Sequence, residues 1–224
     1  MFNFHSTASL IFGNETAVNS TDQIINLLGK NIFVITDEGL TELGLYDKTI
    51  KKLQSYSNIN IFNKVESDPS KSTLLKAFDE ATAFKSTGVL GFGGGSSMDV
   101  AKLTSLILGS NEDIEEAWGV SNAKGPRLPL ILVPTTAGTG SEVTPISIIT
   151  VGEEEEKGVS SPIILPDIAI LDPELTVGLP AHTTAATGID AMVHAIEGYA
   201  SANKNNNPIS VSYTHLTLPT NREV

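Results

Sequence analysis

Short apolar runs recur along the first two thirds of the chain, and turn-forming or polar residues separate them. Their lengths of four or five residues and their many β-branched side chains are typical of buried strands. The four clearest runs are 32–36, 59–62, 89–92 and 130–133. Each therefore predicts one strand of a sheet.

The stretches between these runs have helical character. One continues to about Gln54, and another opens near Ser96 and continues to about Leu108. A third places apolar residues at spacings of four, three and three, which is one helix face: Leu74, Phe78, Ala81 and Phe84. Strands that alternate with helices predict a parallel sheet covered on both faces. We therefore predict an α/β fold with a Rossmann-like parallel sheet.

Beyond Thr150 the pattern changes. Two extended segments, 143–151 and 160–171, flank the acidic run 153–156, which is typical of a solvated hairpin tip. A long helix is predicted from Ala181 to about Ser201. It carries an apolar face at spacings of four, three, four and three, formed by Ala185, Ile189, Met192, Ile196 and Tyr199.

Composition narrows the class of partner. The 224 residues have a formal net charge of −12, which argues against nucleic acid and against an anionic membrane surface. Cysteine is absent, so disulfides, thiolate zinc sites and iron–sulfur clusters are excluded. No signal peptide and no apolar run of about 20 residues is visible. We expect a cytoplasmic protein.

A glycine-rich turn joins the strand 89–92 to the following helix. Gly94 and Gly95 let a pyrophosphate approach the backbone, and the N–H groups of the next helix then point at the anion. Ser96 and Asp99 are spaced as a helix cap and its N3 partner, so a capping box without a ligand is the alternative.

Two further polar positions lie at predicted strand ends. Asp37 follows the strand 32–36, where a carboxylate can accept hydrogen bonds from an adenosine ribose and repels a 2′-phosphate; the alternative is a helix N-cap. Thr135, Thr136 and Thr139 follow the strand 130–133, where hydroxyls suit ribose and phosphate oxygens. An ordinary Ser/Thr turn is the alternative there.

Asp190 and His194 are four residues apart on the predicted C-terminal helix and therefore share one face. A carboxylate and an imidazole suit Fe²⁺, Mn²⁺ or Zn²⁺. The alternative is a simple Asp–His hydrogen bond, because two ligands are too few for a metal site.

These segments together resemble the iron-containing (group III) alcohol dehydrogenase family. The matching stretches are GGGSSMDVAK (93–102), PTTAGTGSEVTP (134–145), LPDIAILDPELT (165–176) and TGIDAMVHAIEGYAS (187–201). The resemblance implies a nucleotide-binding α/β domain over 1–178. It also implies the start of an all-helical metal-binding domain over 179–210.

The resemblance implies that hydride passes between an alcohol, or its aldehyde or ketone, and NAD, with Fe²⁺ or possible Zn²⁺ as Lewis acid. It assigns Asp190 and His194 to the metal and implies a homo-oligomeric parent. The cofactor would contact Asp37, Asp68, Gly94, Gly95, Ser96, Asp99, Thr135, Thr136 and Thr139. Asp68 stands where many relatives carry Asn.

The chain departs from the family in lacking the two later metal-ligand histidines, since its histidines are His5, His182, His194 and His215. We interpret it as a C-terminally truncated member and 211–224 as a non-native tail. We expect little turnover from it. The rivals are a glycerol- or polyol-dehydrogenase-like enzyme on the same scaffold and a non-catalytic nucleotide-binding fragment.

Overall fold

The computed structural model describes residues 5–152 and 155–200. Nine strands are present in this part of the chain: β1 Ser9–Phe12, β2 Asn31–Ile35, β3 Asn58–Phe62, β4 Gly88–Gly93, β5 Gly119–Val120, β6 Leu130–Pro134, β7 Ile146–Val151, β8 Glu155–Ser160 and β9 Ile168–Leu171. Six of them form one parallel sheet in the order β1-β9-β6-β4-β2-β3. The other three form a small sheet in the order β5-β8-β7.

Helices cover both faces of the large sheet. Their bounds are α1 Thr16–Asn19, α2 Thr21–Leu28, α3 Glu38–Leu43, α4 Asp47–Leu53, α5 Lys71–Ala83, α6 Gly95–Ser110, α7 Ile114–Ala117, α8 Glu174–Val177 and α9 Ala181–Ala200. Helices α5 and α6 pack on the face that carries Phe33 and Val89. Helices α2, α3 and α4 pack on the face that carries Val34 and Leu90. Alternate residues of a strand thus feed two separate cores, as the period of two requires.

The strand order reverses direction beside β2. The chain leaves β2 toward β3 on one side, and then returns across β2 to form β4 on the other side. The loops that follow β2 and β4 therefore diverge and leave a crevice at the carboxyl edge of the sheet. Open α/β sheets bind ligands at such a switch point.

The predicted fold class is confirmed, and the four predicted strands correspond to β2, β3, β4 and β6. The sequence did not reveal β1, because this edge strand is short and mostly exposed, with Phe12 70% exposed. The prediction of an extended segment over 160–171 was wrong in part. A 3₁₀ turn at Pro162–Ile164 interrupts it, and the partner of β7 is β8.

Helix α9 has the predicted bounds within the described residues, but its predicted apolar face is exposed. Ile189 is 61% exposed and Ile196 is 52% exposed. No helix among the described residues is long and apolar enough to cross a bilayer. The predicted 201–210 segment, the predicted tail 211–224 and the hairpin tip 153–154 lie outside the described residues.

Candidate functional site

A cavity of about 600 Å³ opens at the carboxyl edge of the sheet, over the crevice between β2 and β4. This volume lies within the usual range for a small-molecule or cofactor site. Its wall is built from the residues that follow four parallel strands and from the start of α9. Six of the sequence-predicted residues line it: Asp37, Gly94, Gly95, Ser96, Thr135 and Thr136.

The glycine-rich turn presents the N-terminus of a 16-residue helix to this cavity. Gly94 is the N-cap of α6, and no side chain caps the helix. The alternative, a capping box between Ser96 and Asp99, is therefore not formed. The first backbone N–H groups of a helix have no intrahelical acceptor, so this end offers donors to an anion.

Both predicted glycines permit close approach, for different reasons. Residues 135–141 form a loop that we call the threonine loop. A Cβ at Gly95 would lie 3.0 Å from Thr139 Cγ2, so this glycine allows the threonine loop to lie against the start of α6. A Cβ at Gly94 would lie 3.7 Å from Thr136, which is ordinary contact, so the space around Gly94 is open. A ligand can therefore reach the backbone at Gly94.

Asp37 has both of its predicted roles available. It is the N-cap of α3, and its Oδ1 accepts a hydrogen bond from the Leu40 N–H at 2.9 Å. It also lines the cavity and is half-buried. The cap therefore holds the carboxylate at the edge of the cavity without removing it from the wall.

The threonine loop carries a buried hydroxyl that has no hydrogen-bond partner. The Thr135 N–H donates to the Gly93 carbonyl at 3.0 Å, which ties the loop to the glycine turn. The next hydroxyl, Thr136 Oγ1, is buried and unpartnered. Thr136 stands between this cavity and a second one of about 440 Å³ bordered by Leu171 and Met192. An unsatisfied buried hydroxyl is unfavourable, and a bound polar ligand would satisfy it.

Three predicted cofactor residues do not line the cavity. Asp68 is exposed beyond the β3 loop, and its backbone carbonyl accepts a hydrogen bond from Thr150 Oγ1 at 3.3 Å. Thr139 packs against Gly95 instead. Asp99 points to the far side of α6 and accepts from Ser141 Oγ at 2.6 Å. Of these three, Thr139 belongs to the threonine loop and Asp99 binds its last residue, Ser141, so both act on the loop from outside the cavity.

Lys102 is a buried residue that the sequence reasoning did not single out. Its side chain is fully buried in α6, and its Nζ lies 3.7 Å from Asp99 Oδ1. Burial lowers the pKa of Lys102 to about 8, against the attraction of Asp99 and Glu142. Burial likewise raises the pKa of Asp99. The available signal was the apolar flank of this lysine, Val100, Ala101 and Leu103, which favours its burial, and a buried lysine is almost always paired.

Asp190 and His194 share one face of α9, as predicted, with 3.6 Å between Asp190 Oδ1 and His194 Nε2. Thr183 lies on the same helix face and lines the cavity, so this face continues from the cavity along α9. Both side chains are substantially exposed. No group of three or more possible metal ligands is present in residues 5–152 and 155–200.

The polar groups that line the cavity fit a dinucleotide better than they fit a metal ion. The cavity combines a free helix N-terminus, an open glycine backbone, an unpartnered hydroxyl and a carboxylate at a neighbouring strand end. A metal site with an open position needs at least three protein ligands, and the described residues supply two.

Comparisons with known proteins agree with this geometry. The family model described as iron-containing alcohol dehydrogenase matches residues 7–173. Sulfoacetaldehyde reductase of Bilophila wadsworthia is 36% identical over 201 residues, covering 88% of this chain and 52% of that protein. Long-chain-alcohol dehydrogenase 1 of Geobacillus thermodenitrificans is 39% identical over 208 residues, with the same two coverages.

Solved structures give the same result. A 1,3-propanediol oxidoreductase superposes with a TM-score of 0.89 at 31% identity, over 95% of this chain and 56% of that chain. Sulfoacetaldehyde reductase from Bifidobacterium kashiwanohense, solved in complex with NAD⁺, superposes with a TM-score of 0.85 at 29% identity. That match covers 95% of this chain and 57% of the other.

The chain thus spans about half the length of the curated relatives it matches. Iron and NAD are the characteristic cofactors of the matching family. The family model covers most of the chain, and the overall fold agrees with that of the solved relatives. The chain belongs to the iron-containing alcohol dehydrogenase family.

Proposed function

We propose that this chain carries the NAD-binding half of an oxidoreductase that interconverts an alcohol and its aldehyde or ketone. The observation that carries the proposal is the cavity at the switch point, where the open N-terminus of α6 meets the threonine loop. The relatives named above are, by name, an aldehyde reductase, an alcohol dehydrogenase and a diol oxidoreductase, which supports the reaction class.

In that reaction, the residues of this chain would bind the dinucleotide and orient it. The backbone N–H groups at the start of α6 hold the pyrophosphate, and Gly94 admits it to the backbone. The carboxylate of Asp37 accepts from the adenosine ribose and disfavours a 2′-phosphate. Thr136, whose buried hydroxyl has no partner within the protein, lines the same cavity. When bound, NAD⁺ would serve as the hydride acceptor, and NADH as the hydride donor.

We propose Asp190 and His194 as two ligands of a divalent metal, with the domain boundary near residue 178. The spacing of the pair on the helix face that continues from the cavity supports this assignment. Because two ligands do not hold a metal in a defined geometry, we expect little turnover from the chain alone.

Titration calorimetry of the whole chain with NAD⁺, NADP⁺ and ADP-ribose tests the proposal. We expect NAD⁺ and ADP-ribose to bind with similar affinity, because both carry the pyrophosphate and the adenosine ribose. We expect NADP⁺ to bind more weakly because of Asp37. Absence of heat with all three ligands overturns the nucleotide-binding proposal.

An activity assay separates the leading function from the nucleotide-binding-only alternative. The two-ligand set among the described residues favours that alternative for the isolated chain. The purified chain is incubated with NAD⁺, Fe²⁺ and a panel of primary and secondary alcohols, and absorbance at the NADH band is followed. Robust turnover contradicts our expectation for the isolated chain.

A further inference from the structure

Lys102 makes all of its side-chain hydrogen bonds to one short segment of the chain. Its Nζ donates to Ser141 Oγ at 2.8 Å, to the Thr144 carbonyl at 3.1 Å and to the Ile146 carbonyl at 2.6 Å. The three hydrogen atoms of the ammonium group thus have three acceptors, all within residues 141–146. This segment begins at Ser141, the last residue of the threonine loop.

Asp99, one helical turn earlier on α6, binds the same segment. Ser141 Oγ donates to Asp99 Oδ1 at 2.6 Å, and the Ile148 N–H donates to Asp99 Oδ2 at 3.0 Å. Ser141 therefore accepts from the lysine and donates to the aspartate. The two charged groups of α6 hold the start of the hairpin from Ser141 to Ile148.

The threonine loop is consequently held by hydrogen bonds at both ends and by a packing contact in its middle. Its first residue, Thr135, donates from its N–H to the Gly93 carbonyl. Thr139 contacts the position of Gly95. Its far end, Ser141, is held by Asp99 and Lys102. The same helix whose N-terminus opens onto the cavity thus also holds the far end of the loop whose first two residues, Thr135 and Thr136, line that cavity.

An apolar residue would be a cheaper way to fill this space. Taking a charged pair out of water is costly, and replacement by well-packed apolar side chains is often neutral or stabilising. The directed hydrogen bonds, and not the burial, are what a lysine adds at this position. Their effect is to give the segment one defined position relative to α6.

We propose that Lys102 is a positioning residue of the cofactor cleft, which fixes the threonine loop over the N-terminus of α6 through Ser141, Thr144 and Ile146. The proposal rests on the proposed binding of NAD to this cleft. A loop that is already ordered binds a ligand with a smaller entropic cost than a loop that must be ordered on binding. Removal of Lys102 therefore weakens dinucleotide binding without any contact between the lysine and the ligand.

Lys102→Met tests the proposal, because methionine keeps most of the apolar length and removes all three donors. Leu103→Ala is the matched control, since Leu103 is the next residue of α6, fully buried in the core, and has no part in the hydrogen-bonded link. Two quantities are measured on the whole chain: the dissociation constant for NAD⁺ by calorimetry, and amide hydrogen exchange in the absence of ligand.

We expect Lys102→Met to raise the NAD⁺ dissociation constant at least tenfold. We also expect the Val143, Thr144 and Ile148 amides to exchange at least tenfold faster than in the original chain. Leu103→Ala lowers the melting temperature but leaves the dissociation constant, and the exchange of these amides relative to the rest of the chain, within twofold. Equal effects of the two substitutions on these readouts overturn the proposal and reduce Lys102 to a structural residue.

A chemical rescue keeps the test decisive if the methionine variant does not fold. The sequence contains no cysteine, so Lys102→Cys introduces a single thiol. Alkylation of that thiol with 2-bromoethylamine in the denatured chain, followed by refolding, restores an ammonium group on a side chain of nearly lysine length. Recovery of slow exchange at the three amides supports the proposal, and refolding without that recovery overturns it.

Two outcomes distinguish the proposed function from the positioning role of Lys102. If the original chain does not bind NAD⁺, the proposed function fails, and hydrogen exchange alone still decides whether Lys102 orders the loop. If the original chain binds NAD⁺ and Lys102→Met binds it equally well, the proposed function stands and the positioning role fails.

Discussion

Helices α6 and α9 carry the two candidate sites, and they differ in how far the rest of the chain surrounds them. Ten of the 16 residues of α6 are buried, whereas Ala195 is the single buried residue among the 20 of α9. The N-terminus of α6 therefore sits in a wall built from several strand ends. The Asp190–His194 pair of α9 faces solvent, and its two side chains lie one helical turn apart.

This difference follows from how each site is assembled. The carboxyl ends of parallel strands meet at one edge, so a sheet brings distant loops together without further help. A metal site needs donors from separate elements that converge on one point. The described part of this chain supplies the sheet and one helix with two candidate donors, so the cleft is the more complete site.

The largest expected effect comes from placing a charge in the cleft. Gly94→Asp puts a carboxylate where we place the pyrophosphate, and the like charges should weaken NAD⁺ binding about 100-fold or more, equivalent to roughly 3 kcal/mol. Gly94→Asn is the control for the charge, because it adds a side chain of the same size without the negative charge and should therefore weaken binding less. Calorimetry measures both. Unchanged affinity in Gly94→Asp would place the pyrophosphate elsewhere.

The next effect is a pH dependence that belongs to α6. The pKa of Lys102 is lowered from 10.5 to about 8 by burial, so the unfolded chain binds this proton more tightly than the folded chain. Between pH 8 and 10.5 the unfolded state therefore holds more protons, and the free energy of unfolding rises with pH. The contribution reaches at most about 3 kcal/mol.

Urea unfolding at several pH values, on the original chain and on Lys102→Met, isolates this contribution. Other lysines and the tyrosines titrate in both proteins, so the difference between the two curves reports Lys102. We expect the original chain to gain stability relative to the variant as the pH rises. Parallel curves would mean that Lys102 is hydrated in solution.

Asp37 gives a smaller effect that separates its two roles. Asp37→Ala removes the cap on the Leu40 N–H and should cost about 1 kcal/mol of stability. Asp37→Asn keeps a capping oxygen but loses the negative charge, so it should retain stability while NADP⁺ binding approaches NAD⁺ binding. Thermal melts and calorimetry distinguish the two substitutions. Equal preference for the two nucleotides in the original chain would contradict the role in selectivity.

The smallest effect is expected at α9. An exposed pair at i and i+4 contributes a few tenths of a kcal/mol, so His194→Ala should change the melting temperature by about 1 °C or less. Zn²⁺ should shift the melting temperature of neither protein. A saturable Zn²⁺ shift that the substitution abolishes would show that another donor joins this pair. Helix α9 would then carry a metal site in this chain, contrary to our expectation.

Much of the cleft was predictable because its residues follow apolar runs that could only be buried strands. Gly94, Gly95, Thr135 and Thr136 were placed at strand ends from the sequence pattern alone, and they line the cavity. The edge strand β1 was missed because an edge strand needs little apolar character on its exposed face. The capping-box alternative did not hold, because spacing alone does not say which way Asp99 points.

The sequence by itself determined the parallel α/β fold, the family and the positions of the glycine and threonine loops, because these depend on local periodicity and contiguous motifs. The tertiary structure alone decided that Asp99 turns away from the cavity and that Lys102 joins it in holding Ser141. Residues 99 and 141 are 42 positions apart, and only the packing of α6 against the hairpin brings them within hydrogen-bond distance. Side-chain direction and burial depend on such long-range contacts, which no local pattern encodes.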